Sequence, residues 1–577
     1  MDSEKTIEVN GREIKTKQKY LLQALEEAGY NIPKLCSHPD FEPLANCRLC
    51  IVEVDGRIRT SCNTIVEDGM TVNIDTPAVI EERRHNLELI LSNHPLDCDY
   101  CYKNMRCELQ ALAERITKTT RYVGLQRRTG VDESSASIVR NMDQCILCGR
   151  CILACQRAGV SLLDYVGRGF STAILPPFRL KLSETTCTSC GQCSLVCPTA
   201  AITEKDDRAL AYSLINDKDK FVIAQIAPAV RVSIGEEFGL KPGTIVTGKL
   251  VAALKEVGFD AVCDTSLGAD FTIVEEAAEL ISRLKARQNG ERAALPMFTS
   301  CCPSWVFYVE EFLPELIPNL STTKSPHEIM ATLLKTYYSE KKKIPIEKIS
   351  VVSIMPCTSK KEEARRVEHR IMGFPAVDTV LTVREASRMI REAGINLPNL
   401  QDAEFDDLLR DASGAGQIFG ASGGVMEAVL RTASSILNHE NSNSKIEFKE
   451  VRGLSGVKEA EYELGRERLR VAVVNGLGKI NSILEKAGKG ELDFIEVMAC
   501  PGGCSGGGGQ PIPTTSHIVS ERIKGLYSAD ERAQFRESFH NPIVQKVYSE
   551  FLECPNSSTA ENLLHTRFIP RKPYGNI

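Results

Sequence analysis

The sequence predicts a multidomain chain of α+β and α/β class, with cysteine-rich modules followed by one large α/β domain. Three observations predict it. At 577 residues the chain is long enough for several domains at roughly one per 150 residues. Fifteen of its 22 cysteines fall in four tight groups before residue 200, and seven are scattered over the rest. From about residue 210, apolar β-rich runs (FVIAQIA, ISVVSIMPC, AVDTVLTV, RVAVVNGL, FIEVMAC) alternate with helical patterns, as layered α/β structure requires.

The apolar and charged fractions, 42% and 25%, are those of an ordinary globular protein. A net charge of −6 gives no reason to expect nucleic acid as a partner. No apolar run approaches the ~18–20 residues that cross a bilayer. The opening MDSEKTIEVN has neither the basic and apolar regions of a secretory signal nor the Arg-rich, acid-poor character of a transit peptide. A cytoplasmic protein is expected. Disulfides suit oxidising compartments, so thiolates held by metal explain the cysteines better.

The first group is Cys36, Cys47, Cys50 and Cys62, flanked by the strand-like KTIEVNG and by CIVEVDGRIRTSC, which alternates about an Asp-Gly turn. Four thiolates with a central C-x-x-C can hold a 2Fe–2S cluster, although tetrahedral zinc accepts the same set. In the second, His94 precedes Cys98, Cys101 and Cys107. One imidazole with three thiolates favours a 4Fe–4S cubane, with zinc again the alternative. The third and fourth groups repeat C-x2-C-x2-C-x3-C: Cys145, Cys148, Cys151, Cys155, then Cys187, Cys190, Cys193, Cys197. In this two-cluster ferredoxin pattern each fourth cysteine crosses to the other cubane. The predicted sets are Cys145/148/151/197 and Cys187/190/193/155. Clusters in series move single electrons.

Beyond residue 210, three stretches look built for a site: FTSCCPSW, VVSIMPCTSKKEEA and FIEVMACPGGCSGGGGQP. The last two end predicted strands, where α/β folds place ligands. Glycines without Cβ let backbone approach a bulky group, although such a run alone also suits a plain loop. The three stretches resemble, in order, the signature motifs of the iron-only (FeFe) hydrogenases. The upstream groups resemble the accessory clusters of that family's larger, clostridial-type members, so the likeness spans essentially the whole chain.

The resemblance implies four domains: 1–79, a plant-type 2Fe–2S ferredoxin-like domain of β-grasp fold; 80–120, the one-histidine, three-cysteine 4Fe–4S segment; 121–209, a two-[4Fe–4S] ferredoxin-like domain; and 210–577, a two-lobed α/β catalytic domain. It implies an H-cluster, a cubane joined to a diiron unit bearing CO, cyanide and an azadithiolate. Cys302, Cys357, Cys500 and Cys504 match the cubane ligands, and Cys504 the bridge to the diiron unit. Lys360 matches a lysine that pairs with cyanide, and Met355 and Met498 thioethers packed against the diiron unit. Pro228 and Ala229 (in IAPAV, where some members have serine) and His327 (where a glutamine can touch the diiron unit) match other positions around it. Ser304 stands where glycine is frequent.

Cys301, next to a ligand but spare, matches the thiol that exchanges protons with the bridging amine. FTIVEEAAELISRLKAR reads as an amphipathic helix placing Glu276, Glu279 and Arg283 on one face. That pattern alone is usually a solvated stripe, but with Ser321 it matches the family's proton relay. The implied reaction is 2H⁺ + 2e⁻ ⇌ H₂, and the implied partners are ferredoxin and H-cluster maturation proteins. SSASIVRNMDQCILCGRC and GEEFG also resemble catalytic subunits of NAD(P)-linked hydrogenases. The chain carries no Gly-rich nucleotide fingerprint, so such chemistry would sit on another subunit. A pure electron carrier akin to the complex I cluster subunit has no use for the four late cysteines. A third class is a hydrogen sensor or a hydrogenase-like assembly protein with altered chemistry, and the retention of Cys301, Lys360, Glu276 and Glu279 argues for turnover instead. Cys263 and Cys554 match no motif and read as structural.

Overall fold

A computed structural model describes residues 4–124, 130–406, 408–438, 452–454, 456–464 and 467–572. The first three residues of the opening lie outside this set. The N-terminal sheet has five strands, in spatial order Arg12–Thr16, Lys5–Val9, Thr71–Asn73, Ile51–Val54 and Arg57–Thr60. Two tight hairpins build it, each on a dipeptide with positive φ at both positions: Asn10-Gly11 and the expected Asp55-Gly56. Alternating residues (Ile7, Val9, Val52, Val54, Val72) close on helix Leu21–Glu27. Cys50 immediately precedes one strand and Cys62 follows another, so the first cysteine group gathers at one end of this sheet.

Helix Pro77–Leu91 starts on Thr76, whose hydroxyl accepts from the Val79 N–H, with Pro77 at the first position. After helix Glu108–Ile116, a small antiparallel sheet (Ile202–Glu204, Ile138–Asn141, Val131–Asp132) backs helices Arg150–Arg157 and Gln192–Val196. Each of these two helices follows a C-x-x-C-Gly turn. Gly149 and Gly191 start them in the left-handed region, with φ of 83° and 70°.

The large domain is built on two four-stranded sheets. One is wholly parallel, in order Ala261–Asp264, Phe221–Ile226, Ile349–Met355, Thr379–Thr382. Its inner strands are covered on both faces, which is why they read as unbroken apolar runs. The other runs Met297–Phe298, Phe494–Met498, Glu467–Asn475 in parallel, then Val457–Leu464 antiparallel at the edge. The edge strand alternates half-buried with exposed residues along most of its length, as a one-sided strand does. Helix Thr265–Gln288 packs against helices Pro326–Leu333 and Gly424–Asn438. Helices Pro542–Val547 and Ser558–Leu564 pack Val544, Val547 and Leu564 into the core of the first sheet. Among the described residues no helix is long and apolar enough to cross a membrane.

Candidate active site

The strands of both sheets deliver their C-terminal ends to one place. Phe221–Ile226 leads to Pro228 and Ala229, Ile349–Met355 to Cys357, Met297–Phe298 to Cys301 and Cys302, and Phe494–Met498 to Cys500. Between them lies a cavity of about 730 Å³. Its wall contains Cys301, Cys302, Cys357, Cys500 and Cys504 together with Met355, Met498, Lys360, Pro228, Ala229, Ser304 and His327. Every residue expected around the diiron unit therefore borders this one space. Phe419, Gly420 and Thr265 border it too, and no feature of the sequence singled them out.

The sulfurs sit where burial disfavours the thiolate. Burial pushes the Cys302 thiol up, and it pushes Cys504 up to about 12; the Cys357 thiol is likewise raised, by burial and then by Cys504 and Cys302. Four closely spaced thiols in a dry pocket would repel one another as thiolates, and a bound cluster removes that penalty. The two thioethers and the Pro, Ala and Gly walls suit a soft, bulky group. The donor set fits a cubane beside a diiron unit.

The upstream thiols gather as the repeat predicts. Cys148 and Cys151 feel Cys145 and Cys197, whereas Cys187, Cys190 and Cys193 feel Cys155. Each fourth cysteine thus crosses to the other group. Cys36 lies against Cys47 and Cys62, and Cys50 against Cys62. His94, Cys98, Cys101 and Cys107 border one cavity, and among the described residues the buried His94 Nδ1 has no hydrogen-bond partner. Burial lowers the His94 pKa to about 4, keeping its imidazole neutral and able to ligate.

Residues 220–508 match the family model for the iron-only hydrogenase large subunit, C-terminal domain, and 516–571 that for the iron hydrogenase small subunit. Residues 3–77 match a 2Fe–2S cluster-binding domain, 83–121 an NADH-ubiquinone oxidoreductase-G iron–sulfur region, and 144–201 a 4Fe–4S dicluster domain. The chain is 42% identical to the NADP-reducing hydrogenase subunit HndD of Solidesulfovibrio fructosivorans, over 96% of each chain. It is 37% identical to iron hydrogenase 1 of Clostridium pasteurianum, over 98% of this chain and 100% of that one. The chain belongs to the iron-only hydrogenase family. Among solved structures, a variant of apo [FeFe]-hydrogenase HydA1 of Chlamydomonas reinhardtii superposes with a TM-score of 0.57 at 38% identity, covering 63% of this chain and 99% of that one. This hydrogenase therefore interconverts protons and H₂ at an H-cluster, and its 2Fe–2S and 4Fe–4S domains relay electrons. The match of residues 516–571 lies within the expected 210–577 domain.

A line of polar groups leaves the hydrogenase cavity at Cys301. Burial holds its thiol well above the ordinary pKa, reinforced by the nearby Glu276, so the S–H keeps its proton. Glu276 is fully buried, and among the described residues its carboxyl oxygens have no hydrogen-bond partner. Burial, then Glu279, raises its pKa to about 8, although Ser300 and Ser321 pull the other way. The Ser321 hydroxyl donates to Glu279 Oε2 at 2.9 Å, and Arg283 Nη2 meets Glu279 Oε1 at 2.6 Å. The Glu279 and Arg283 side chains are 12% and 14% exposed, so the line reaches the surface there. Glu279 and Arg283 form a paired, half-buried end of a line rather than a solvated stripe.

Three side chains, His327, Lys360 and Cys554, have partners or exposure that the sequence did not indicate. His327 borders the cavity, but both ring nitrogens are engaged by protein: Nδ1 with Ser353 Oγ at 3.3 Å and Nε2 with Glu363 Oε2 at 2.7 Å. Lys360 Nζ is held by Glu363 Oε2 at 2.6 Å and the Cys301 carbonyl at 3.2 Å. Cys263 is buried in its strand, whereas Cys554 is exposed and packs no core. Glu363 went unrecognised in the sequence, although its i+3 spacing from Lys360 was readable.

Proposed function

We propose that this hydrogenase holds its H-cluster cubane on Cys302, Cys357, Cys500 and Cys504, with Cys504 bridging to the diiron unit. Protons pass along Cys301, Glu276, Ser321, Glu279 and Arg283. The observation that carries this reading is the single cavity bordered by all five thiols, with Glu276 buried beside the one that is not a ligand. The H-cluster, when bound, supplies the redox chemistry of hydrogen evolution and oxidation. Cys301 carries a proton at the cavity wall, and Glu276 restores it. The raised pKa of Glu276 suits that exchange, because a general acid works best with a pKa near the working pH. Ser321 bridges by its hydroxyl to Glu279, and Arg283 fixes the outer carboxylate.

Electrons reach the site through one 2Fe–2S cluster on Cys36, Cys47, Cys50 and Cys62 and three 4Fe–4S clusters. Of these, one is held by His94, Cys98, Cys101 and Cys107, and the other two by the crossed ferredoxin sets. The five-strand order and its end-on cysteines support the β-grasp reading of 1–79, and the domain division at 80–120, 121–209 and 210–577 is retained. The likeness to HndD supports a pyridine-nucleotide-linked partner subunit, with ferredoxin the other candidate donor. Maturation proteins supply the diiron unit. So many reduced thiols suit the cytoplasm.

The test is H₂ evolution from a reduced viologen after anaerobic loading of the diiron unit. Cys301→Ala should keep its cubane and lose about 10²-fold or more in rate, the scale of a lost general acid. Normal turnover in that variant would refute the proton role of Cys301.

A further inference from the structure

Behind the cavity wall, a chain of hydrogen bonds runs through side chains that the proton line does not use. Thr265 Oγ1 donates to Gln225 Oε1 at 3.1 Å, and Gln225 Nε2 donates to Ser353 Oγ at 2.8 Å and to the His327 carbonyl at 3.0 Å. Both amide protons of Gln225 are thereby spent. Ser353 Oγ accepts from Gln225, so its own hydroxyl proton is available to His327 Nδ1, 3.3 Å away. That makes Nδ1 an acceptor and leaves the ring proton on Nε2. The Nε2–H meets Glu363 Oε2 at 2.7 Å, and the same oxygen accepts from Lys360 Nζ at 2.6 Å. Five of these side chains, Thr265, Gln225, Ser353, His327 and Glu363, are buried, so none has bulk water as an alternative partner.

Glu363 consequently carries two donors on one oxygen. Burial favours its neutral form, but Lys360 and His327 outweigh it and hold the carboxyl well below the usual range. The Lys360 ammonium has three protons. Two go to Glu363 and to the Cys301 carbonyl, leaving one without a protein acceptor among the described residues, on a side chain that borders the cavity. Glu328, whose Oε1 lies 3.3 Å from His327 Nε2, is the other acidic group facing this imidazole, and His369 stands on its far side at 3.6 Å.

We propose that His327 and Glu363 are positioning residues for Lys360. His327 orients the Glu363 carboxylate, and the carboxylate holds the ammonium with one N–H turned to the cavity. His327 then acts through Lys360 and not on the diiron unit. The proposal rests on the reading of Lys360 as the partner of a diiron cyanide.

The test is the infrared cyanide bands of matured protein, with iron content before maturation confirming that each variant folds and holds its cubane. Lys360→Met should move a cyanide band. His327→Leu should move the same band in the same direction by a smaller amount. His327→Gln should restore it, because the glutamine Nε2–H lies the same number of bonds from the backbone as the imidazole Nε2. Glu363→Gln, which keeps shape but lowers charge, should match His327→Leu or exceed it, and it stands in for His327→Leu if that variant fails to fold. A band moved by Lys360→Met but untouched by His327→Leu and Glu363→Gln would overturn the proposal and spare the Lys360 reading. No movement in Lys360→Met would overturn both.

Discussion

At the residue scale, Glu276 is the side chain whose environment departs furthest from what its sequence neighbours suggest. Its pKa of about 8 lies above the ordinary ~4.3 of a glutamate. The folded chain therefore keeps a proton that the unfolded chain loses. The stability this confers is complete below the ordinary value and is lost as pH rises from ~4.3 through about 8. Glu276→Gln should flatten that decline, so thermal midpoints compared near pH 6 and pH 9 should differ less in the variant. The same change should cost about 10²-fold or more in H₂ evolution, because an amide cannot return a proton to Cys301. An unchanged pH dependence of stability would contradict the burial argument. Residues of this kind are legible only in part. The i, i+3, i+7 pattern of Glu276, Glu279 and Arg283 was visible, but their burial depends on Ser321 and on packing of the long helix, which no local pattern encodes. His327 was visible as a departure, yet its partners Ser353 and Glu363 come from a strand and a short helix remote in sequence.

At the element scale, the glycine run after Cys504 serves two neighbours. A Cβ on Gly508 would stand 2.2 Å from the Cys190 carbonyl oxygen, and one on Gly191 would stand 2.3 Å from Thr358 Oγ1. The second ferredoxin loop is thus pressed against the active-site loops, with Thr358 Oγ1 donating to the Ser189 carbonyl at 2.7 Å. Arg384, on helix Val383–Glu392, fastens the same junction. Its guanidinium meets Glu204 Oε2 at 2.7 Å and the Gly508 carbonyl at 3.0 Å, all three groups buried. Arg384→Met would leave the buried Glu204 carboxylate with the Tyr102 hydroxyl at 2.8 Å and Arg388 at 3.6 Å, and should destabilise the junction by about 1–3 kcal/mol. Denaturant unfolding followed by cluster absorbance should show the ferredoxin region releasing first, and an unshifted midpoint would contradict the account. The glycine run was legible as a cradle. Its second role was not, because the packing partner lies more than three hundred residues away.

At the scale of the whole molecule, the first and second cysteine groups meet the third: Cys36, Cys47 and Cys148 pack in one buried cluster, with Cys107 against it. Cys190 of the last ferredoxin group lies close enough to Cys500 to add to the rise that burial gives its pKa, which is where the proposed relay would meet the proposed cubane site. The modular order was readable because cluster ligands come in short spacings that survive without knowledge of the fold. The strand runs were readable because buried parallel strands are apolar throughout. The convergence of two sheets on one cavity was not readable, since it depends on Met297–Phe298 pairing with Phe494–Met498 across nearly two hundred residues.

Four thiols from three separate segments, Cys302, Cys357 and the pair Cys500 and Cys504, are the proposed anchors of one six-iron centre. Infrared spectroscopy of the anaerobically matured protein tests this anchoring most directly. Carbonyl and cyanide bands are expected in the wild type and should be lost in Cys504→Ser, which removes the proposed bridge to the diiron unit. Bands absent from the wild type, or undiminished in Cys504→Ser, would contradict it.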